Sequence, residues 1–429
     1  ELRYTHVPGI DAGHQKFGSK AILARERYRA NGKIASSAAH FYQKPAALCE
    51  AFHSIGWGMT LQDCKWIFDW LTVMGIDWFI THGAYYTSDA LKKHDAPPSF
   101  FYQMPWWRDM PQLTEYTDRL NQFLMTGKRR VSVLLIDPVT STWTEIGARK
   151  RKLTQDFGDF QNLLLRNGVD YYVIDPQLFA DGTVSRENGA VSYCIGRDQY
   201  PIVILPYMTN LEKAAYQKLQ EYAEAGGTVI CAGTVPYRAP ECVGDNAQNE
   251  SSYAGWLEKT LGLSAADAEA QYFADPCVDA AGNTKMIAAG STIAKAAEST
   301  AAEAAAGCTG SAEKGSCFFE SAMENAVSRI IDLEIKLRVW TVTEIVDKEA
   351  ACDLLNIQKQ MPDGREELFV TNLSDRPADV VISFGEMTQK RTLAGGESLF
   401  LDSAEIGNCD AESGAVGIDG AAAGGCCAV

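Results

Sequence analysis

The sequence predicts an α/β protein in three parts: β/α units of a larger domain, a doubly wound parallel sheet, and a small antiparallel β-sandwich. Three observations predict this architecture. Residues 1–128 contain a strand–loop–helix–strand pattern, short apolar strands alternate with helical patterns over residues 129–245, and hydrophobicity switches to period two over residues 335–403. A chain of 429 residues exceeds one ordinary core, so two to four domains are expected.

The first 128 residues contain a β/α/β unit. Thr60 and Asp63 match a T-x-x-D capping pattern, apolar residues follow at helical spacing, and Gly75 is placed to end the helix. Strands are expected over residues 3–7, 45–50 and 76–82. Three parallel strands cannot close a barrel, so this region is expected to be the last part of a larger domain.

Residues 129–245 show the clearest alternation of strands and helices. Short apolar strands are expected over residues 131–136, 169–174, 202–205 and 228–231. Gly168 and the Gly226–Gly227 pair follow the helical patterns between them, as glycines at helix ends do. This alternation is typical of a flavodoxin-like, doubly wound parallel sheet.

The remaining sequence is less regular. Residues 246–334 are rich in alanine and weakly patterned, which predicts an irregular helical insertion. Residues 335–403 alternate apolar and polar side chains around an Asp363–Gly364 turn, which predicts the small sandwich. The Gly/Ala-rich residues 404–429 are expected to be a disordered tail.

Composition excludes several classes of partner. A net charge of −16 argues against nucleic acid and against an anionic membrane surface, and no apolar run approaches the length of a membrane span. The twelve cysteines form no CxxC pair, and neither a metal site nor a cofactor is expected. Cysteine usage favours a reducing, cytoplasmic location over secretion. The absence of an initial Met and of a leader pattern favours a piece cut from a longer protein.

Side chains suited to chemistry are concentrated near the N-terminus. All six histidines lie within the first 94 residues. Glu50 is expected at the end of a buried strand, where α/β domains form their sites, and a carboxylate there can act as nucleophile or general base in glycoside cleavage. The alternative is a carboxylate that accepts local backbone hydrogen bonds. His82 is expected at the end of the next strand, either contacting a sugar hydroxyl or packed in the core, and His53 follows Glu50 in the loop.

Aromatic residues near these positions divide into two groups. Stacking on a pyranose ring suits the aromatic side chains of the loops, which are Trp57, Tyr85, Trp106 and Trp107. Core packing is expected for the tryptophans inside the helix and the strand, which are Trp66, Trp70 and Trp78. Asp11 is a further candidate for substrate contact, but a single carboxylate is a weak metal signal.

Two features of the central region suggest other chemistry. Residues 140–144 follow its first strand, where a phosphate loop would lie, but they lack the glycine that lets backbone approach a phosphate, which argues against FMN. Cys231 ends a strand where a glutamine-amidotransferase nucleophile would lie. Because no histidine follows residue 94, a buried structural cysteine is expected instead.

Four segments carry a resemblance to a known group of enzymes. HVPGID, KIASSAAHFYQKPAALCEAFHSIGW, TLQDCKWIFDWLTVMGIDWFITHGAYY and KHDAPPSFFYQMPWW resemble the C-terminal part of a (β/α)8 barrel in bacterial, rhamnosidase-like glycoside hydrolases, including family 106. The order of barrel, α/β domain and sandwich is similar to family 42 β-galactosidases. The resemblance covers residues 1–245 and, less strongly, 335–403, and CEAFHSIGW is its most specific piece. It implies that Glu50 is the acid of the seventh barrel strand.

The resemblance implies an incomplete enzyme. The first five barrel strands are absent, including the one that carries the general acid, and a single carboxylate cannot both protonate the leaving oxygen and attack the anomeric carbon. We therefore expect part of a glycosidase acting on plant or host oligosaccharides, inactive in isolation. Self-association through the α/β domain is also expected. The expected site consists of catalytic Glu50 and the substrate contacts Asp11, His53, Trp57, His82, Tyr85 and Trp107.

Two other functions remain open. The first is a non-catalytic carbohydrate-binding or assembly protein derived from a hydrolase. The second is an amidotransferase-like or flavin-binding protein built on the central domain, against which the missing glycine and histidine argue.

Overall fold

The structure is a computed structural model that describes residues 2–12, 31–94, 97–241, 250–274, 316–344 and 353–406. The expected irregular insertion falls partly outside the described residues, and nearly all of the expected disordered tail does so. The chain divides into two compact units. Unit 1 comprises Glu1–Arg130, Leu165–Gly168 and Arg338–Val429. Unit 2 comprises Val131–Leu164 and Val169–Leu337.

Unit 1 begins with a parallel three-stranded sheet whose strands are β1 (Gly9–Ala12), β2 (Leu48–Ala51) and β3 (Trp78–Thr81), in that order. The accompanying helices are α1 (Asn31–Phe41), α2 (Leu61–Met74) and α3 (Met110–Met125). Short 3-10 turns occupy Leu2–Tyr4, Ala90–Lys93 and Trp107–Asp109. The expected strand over residues 3–7 is wrong. Its first residues form the turn, and the strand begins after Pro8, whose missing N–H cannot join a ladder.

Helix α2 follows the sequence prediction closely. Thr60 Oγ1 accepts a hydrogen bond from the Asp63 N–H, and the Asp63 carboxylate accepts one from the Thr60 N–H, which completes the capping box. Gly75 ends the helix with φ +86°, in the left-handed region that favours glycine. Both signals are confirmed, and they fix the helix that packs beneath the sheet.

The two faces of the three-stranded sheet differ in burial. Cys49 and Ala51 of β2 are fully buried, and Glu50 between them is only partly buried. Because successive side chains of a strand point to opposite faces, Glu50 lies on the more open face. The predicted core positions Trp66 and Trp70 of α2 are buried, as expected.

Asp69 is a fully buried carboxylate of unit 1. Its carboxylate accepts hydrogen bonds from Lys65 Nζ at 2.8 Å, from Ser398 Oγ at 2.6 Å and from the Tyr116 hydroxyl. These donors come from α2, from α3 and from a strand of the C-terminal part of the unit. A buried carboxylate is tolerated only when its oxygens are satisfied, so Asp69 fixes the mutual position of these elements.

The C-terminal part of unit 1 forms two antiparallel sheets, one of which also includes a short strand from residues 128–129. Their strands are β4 (Lys128–Arg129), β13 (Trp340–Glu344), β14 (Leu354–Gln360), β15 (Glu366–Asn372), β16 (Ala378–Phe384), β17 (Met387–Leu393) and β18 (Ser398–Asp402), followed by α11 (Ser403–Ile406). One sheet has the order β13-β16-β17 and the other has the order β18-β15-β14-β4. Trp340, Leu368, Val370, Val380 and Ile382 lie in a shared core, as period-two patterning predicts.

Unit 2 is built on five parallel strands. These are β5 (Val133–Ile136), β6 (Tyr171–Ile174), β10 (Ile202–Pro206), β11 (Thr228–Ala232) and β12 (Cys317–Glu320). The spatial order is β12-β11-β10-β5-β6, so the first strand in sequence lies between the second and the third. The helices are α4 (Val139–Thr144), α5 (Gly147–Arg166), α6 (Pro176–Ala180), α7 (Lys213–Glu224), α8 (Glu250–Leu261), α9 (Ala265–Ala274) and α10 (Met323–Glu334).

Two features of unit 2 differ from the sequence prediction. An antiparallel sheet of β7 (Thr183–Glu187), β8 (Ala190–Ile195) and β9 (Asp198–Tyr200) was not expected. Strand β12 lies inside the range read as a helical insertion. Its side chains are only partly buried, and four residues give too short a pattern for detection without the neighbouring strand β11.

Candidate functional site

Two carboxylates lie side by side on the more open face of the three-stranded sheet. Asp11 of β1 is directly paired with Glu50 of β2, and Glu50 is paired with Ile80 of β3. Paired residues on parallel strands point to the same face. No hydrogen bond or ion pair joins either carboxylate to another residue in the described ranges. The local backbone hydrogen bonds of the alternative interpretation are therefore not seen for Glu50.

The same face of the sheet exposes large apolar side chains. Trp78 is 53% exposed and Ile80 is 52% exposed. The expectation that Trp78 packs in the core is wrong. Trp78 is paired with Leu48, on the face of Glu50, whereas the neighbouring Phe79 points to the helices and contacts Phe68 of α2 at 4.7 Å between ring centroids. Strand alternation thus places Trp78 near the carboxylates.

Two histidines meet where the strands end. The rings of His53 and His82 are 4.7 Å apart between centroids, in an edge-to-face arrangement. His82 N donates to Ala51 O at 2.9 Å, which continues the β2–β3 ladder past the last strand residues. Nδ1 of His82 is buried and has no hydrogen-bond partner among the described residues, whereas His53 Nδ1 lies 3.1 Å from Ser54 Oγ. The ring contact therefore joins the loop after β2 to the loop after β3.

An aromatic pair lines the same loops. Trp57 and Tyr85 lie 6.5 Å apart between ring centroids, again edge to face. The backbone of Tyr85 is fixed because its N–H donates to Ser99 Oγ and its carbonyl accepts from Gln103 Nε2 at 2.6 Å. The loop beyond β3 therefore holds a partly exposed ring in a defined position, which suits contact with a sugar ring.

The two adjacent tryptophans of the predicted site have different environments. Trp106 is 8% exposed, and its indole N–H donates to Met59 O at 2.7 Å, so its expected role in stacking on a sugar is wrong. Phe100 contacts its ring at 5.4 Å. Trp107 is 36% exposed and contacts Phe101. No ring contact joins Trp107 to Trp57 or Tyr85, so the structure does not bring it into their pair.

Unit 2 contains no comparable arrangement at the two positions that the sequence suggested. Residues 140–144 form most of the short helix α4. Cys231 is fully buried in β11, and burial raises the pKa of its thiol, as expected for a structural cysteine. Among the residues that the structure describes, no three His, Cys, Asp or Glu side chains are grouped as metal ligands. No helix in the described ranges is long and apolar enough to cross a bilayer.

One acidic group in unit 2 was not predicted from the sequence. Asp137 follows β5, and burial, together with repulsion from Asp175 and Glu212, raises the pKa of its carboxyl to about 7. Asp175 follows β6, so both aspartates lie at the carboxyl ends of adjacent strands. The signal in the sequence is an acid directly after a predicted strand, the same kind of position that singled out Glu50.

The chain is similar to glycoside hydrolases in one family model and in several solved structures. Residues 196–317 match the family model of the β-galactosidase trimerisation domain. The rhamnosidase of Novosphingobium sp. PP1Y has a similar structure, with a TM-score of 0.60 at 14% identity over 96% of this chain and 36% of the rhamnosidase. The cold-adapted β-galactosidase of Rahnella sp. R3 gives a TM-score of 0.54 at 12% identity, covering 92% of this chain and 60% of that enzyme.

A family 42 β-galactosidase from G. stearothermophilus is also similar, with a TM-score of 0.57 at 12% identity over 92% of this chain and 59% of that one. No curated protein sequence matches the chain. The chain spans between about one third and three fifths of the lengths of these enzymes. The resemblance to glycoside hydrolases drawn from the sequence is thus confirmed in the fold, which mixes parallel and antiparallel sheets as these enzymes do.

Proposed function

We propose that the face of the three-stranded sheet is part of the sugar-cleaving site of a glycoside hydrolase, with Glu50 as a catalytic carboxylate. The observation that carries the proposal is the position of Glu50. It lies beside Asp11, on the face opposite the helices, and no hydrogen bond or ion pair to a described residue occupies its oxygens. A carboxylate held on a rigid strand and open to a ligand is suited to attack an anomeric carbon or to activate water.

The proposed architecture extends the observed sheets. We take β1, β2 and β3 to be part of a (β/α)8 barrel, the parallel sheet of unit 2 to be a flavodoxin-like domain, and the two antiparallel sheets of unit 1 to be a β-sandwich. The strand order of unit 2, second-first-third-fourth-fifth, supports the flavodoxin comparison. In such a barrel, loops after the carboxyl ends of strands line the active site, and these loops carry His53, Trp57, His82 and Tyr85.

The role proposed for each residue follows from the chemistry of its side chain. Glu50 attacks the anomeric carbon or, in an inverting reaction, deprotonates the attacking water. Asp11 accepts hydrogen bonds from sugar hydroxyls, and the Trp57–Tyr85 pair offers an aromatic surface to an apolar sugar face. Protonation of the leaving oxygen needs a separate acid. We assign that acid to a part of the enzyme beyond these residues, so this chain alone is proposed to be inactive.

The test is Glu50→Gln in the protein at its full natural length. Rhamnosides and galactosides with an aryl leaving group are the substrates, because the structurally similar enzymes are a rhamnosidase and β-galactosidases. We expect kcat to fall by about 10³-fold or more, because the amide can neither attack nor accept a proton. The control is Glu115→Gln, which changes an exposed carboxylate of α3. Wild-type turnover in the Glu50 variant would disprove the assignment.

The same experiment separates the main alternative, a carbohydrate-binding or assembly protein without catalysis. That function predicts no hydrolysis by the natural protein, together with sugar binding that survives Glu50→Gln and is lost in Trp57→Ala. The partly exposed Trp57–Tyr85 pair is the observation that favours it.

We also propose that the protein self-associates through unit 2 and acts in the cytoplasm. The match of residues 196–317, which lie in unit 2, to a trimerisation domain supports the first part. Chemical crosslinking of the purified protein tests self-association. Fractionation of the native cells, with detection of the chain, tests the location.

A further inference from the structure

One corner of unit 2 exposes two large apolar side chains. Trp143 of α4 is 75% exposed, and Ile146, which precedes α5, is 82% exposed. The N–H of Lys150 donates to Ile146 O, so the first turn of α5 begins directly beside these side chains. Trp is the residue most enriched among interface positions that dominate binding energy, and exposing one this far has no benefit for folding.

The same corner carries an unusual concentration of positive charge. Residues 149–152 read Arg-Lys-Arg-Lys in a chain with a net charge of −16. Lys150 and Arg151 are exposed, and their side chains make no hydrogen bond or ion pair with any residue in the described part of unit 2. Cations in the first turn of a helix oppose its dipole, so their placement there costs stability. An acidic partner would offset this cost.

Ion pairs fix the position of the Arg149 side chain at this corner. Arg149 binds the carboxylates of Glu145 and Glu269, and Arg238 lies 3.4 Å from Glu269 and 3.6 Å from Glu145. The guanidinium of Arg149 also lies 3.6 Å from the ring centroid of Phe273. A surface fixed in this way loses little conformational entropy when a partner binds.

The supporting residues connect the corner to the trimerisation-domain match. Arg238, Glu269 and Phe273 all lie within residues 196–317, the range of that match. Trp143 and Ile146 lie outside the range, but Arg149, three residues after Ile146, pairs with Glu269 and lies over the Phe273 ring inside it. A feature that the family model does not contain is therefore attached to the region that the model associates with assembly.

We propose that residues 143–151, hereafter the basic corner, bind an acidic surface on a second copy of this chain. Trp143 and Ile146 insert into the partner, and Lys150 and Arg151 face its carboxylates. Acidic residues outnumber basic ones in the chain, 55 to 39, so a second copy offers carboxylates to these two cations, whereas two cations are too few to hold a nucleic-acid backbone. The inference rests on the proposed self-association of unit 2 and assigns its contact surface.

The test compares the mass of three proteins by sedimentation velocity over a range of concentrations. They are the wild type, the double variant Trp143→Ser with Ile146→Ser, and the control Tyr86→Ser, which removes a ring of 93% exposure from unit 1. We expect the wild type and the control to form the same oligomer. The apparent dissociation constant of the oligomer should be about 30-fold higher or more in the double variant than in the wild type. This is the loss of affinity typical of a dominant interface residue. Unchanged circular dichroism shows that the variants fold.

A charge variant tests the other half of the basic corner. Lys150→Glu with Arg151→Glu should weaken assembly at low salt, because attraction to carboxylates is replaced by repulsion, and the remaining assembly should strengthen as added salt screens that repulsion. Wild-type assembly in both double variants would overturn the surface assignment while leaving self-association in place. A wild-type protein that stays monomeric would overturn both. Neither result bears on Glu50, whose role is read from hydrolysis.

Discussion

Asp11 and Glu50 lie directly opposite each other on the neighbouring parallel strands β1 and β2. The pairing places two carboxylates one strand spacing apart on one face of a sheet, with the opposite face buried against helices. No residue in the described ranges forms an ion pair with either carboxylate. Such an arrangement is rarely kept for stability, and this makes the pair the centre of the proposed site.

Substitution of Asp11 should weaken sugar binding. In Asp11→Asn the side chain keeps its size but becomes a poorer acceptor for sugar hydroxyls, because hydrogen bonds to a charged group are the stronger kind. We expect about tenfold weaker affinity, measured by titration calorimetry with rhamnose and with galactose. Asp118→Asn, on the exposed side of α3, is the control. Equal affinities in the two variants would remove Asp11 from the site.

Loss of Asp69 should destabilise unit 1. Asp69→Ala leaves the Tyr116 hydroxyl and the Lys65 ammonium without their carboxylate, and it also opens a cavity. We expect the free energy of unfolding to fall by about 3 kcal/mol, measured by urea denaturation. The control Asp118→Ala removes an exposed carboxylate and should change it by less than about 0.5 kcal/mol. A similar small loss in both would mean that the buried contacts of Asp69 contribute little.

Two glycines of unit 1 allow the stability cost of backbone strain to be measured apart from the cost of a steric collision. Gly75 has φ +86° and Gly364 has φ +89°, both in unit 1. A Cβ at Gly75 would collide with the Arg129 guanidinium, whereas no heavy atom lies within 4 Å of a Cβ at Gly364. Gly364→Ala should cost about 1 kcal/mol from backbone conformation alone. Gly75→Ala should cost clearly more in the same urea titration, and equal costs would show that Arg129 moves away freely.

The raised pKa of Asp137 makes the stability of unit 2 depend on pH. Its carboxyl has a pKa of about 7 in the folded unit, against an ordinary value of 3.8, chiefly because of burial. Between pH 3.8 and pH 7 the Asp137 carboxyl is protonated in the folded state and ionised in the unfolded state. The free energy of unfolding therefore falls as the pH rises through this range. Asp137→Asn keeps the neutral form and should be more stable than the wild type at pH 8, by about 2 kcal/mol.

Thermal unfolding of both proteins at pH 5 and pH 8 measures this difference. The control is Asp181→Asn, an exposed carboxylate after α6, which should follow the wild type at both pH values. An Asp137→Asn protein that loses as much stability as the wild type between pH 5 and pH 8 would contradict the prediction.

Local sequence signals predicted local structure well. The Thr60–Asp63 capping box and Gly75 predicted both ends of α2, because each signal is a hydrogen bond or a dihedral angle of a few neighbouring residues. Four of the five parallel strands of unit 2 were predicted within two residues, since short fully apolar runs between helices have few other conformations. These features depend on contacts that the sequence displays directly.

Long-range contacts decided the rest. Strand β12 exists because β11 offers it a partner, and the strand expected over residues 3–7 is absent because the strand that pairs with β2 starts after Pro8. The environments of Trp78 and Trp106 were also misjudged, because strand register exposes the first and a carbonyl of the distant Met59 buries the second. Burial of one side chain depends on what lies opposite it, which composition does not specify.

By itself the sequence determined the α/β class, the helix ends, the alternating faces of the strands and the concentration of histidines near Glu50, because all of these follow from spacing along the chain. Only the tertiary structure decided that Asp11 pairs with Glu50, that His53 meets His82, and which tryptophans stay exposed. The physical reason is that hydrogen-bond ladders between strands select one register from several that hydrophobic patterning allows, and the register fixes which side chains share a face.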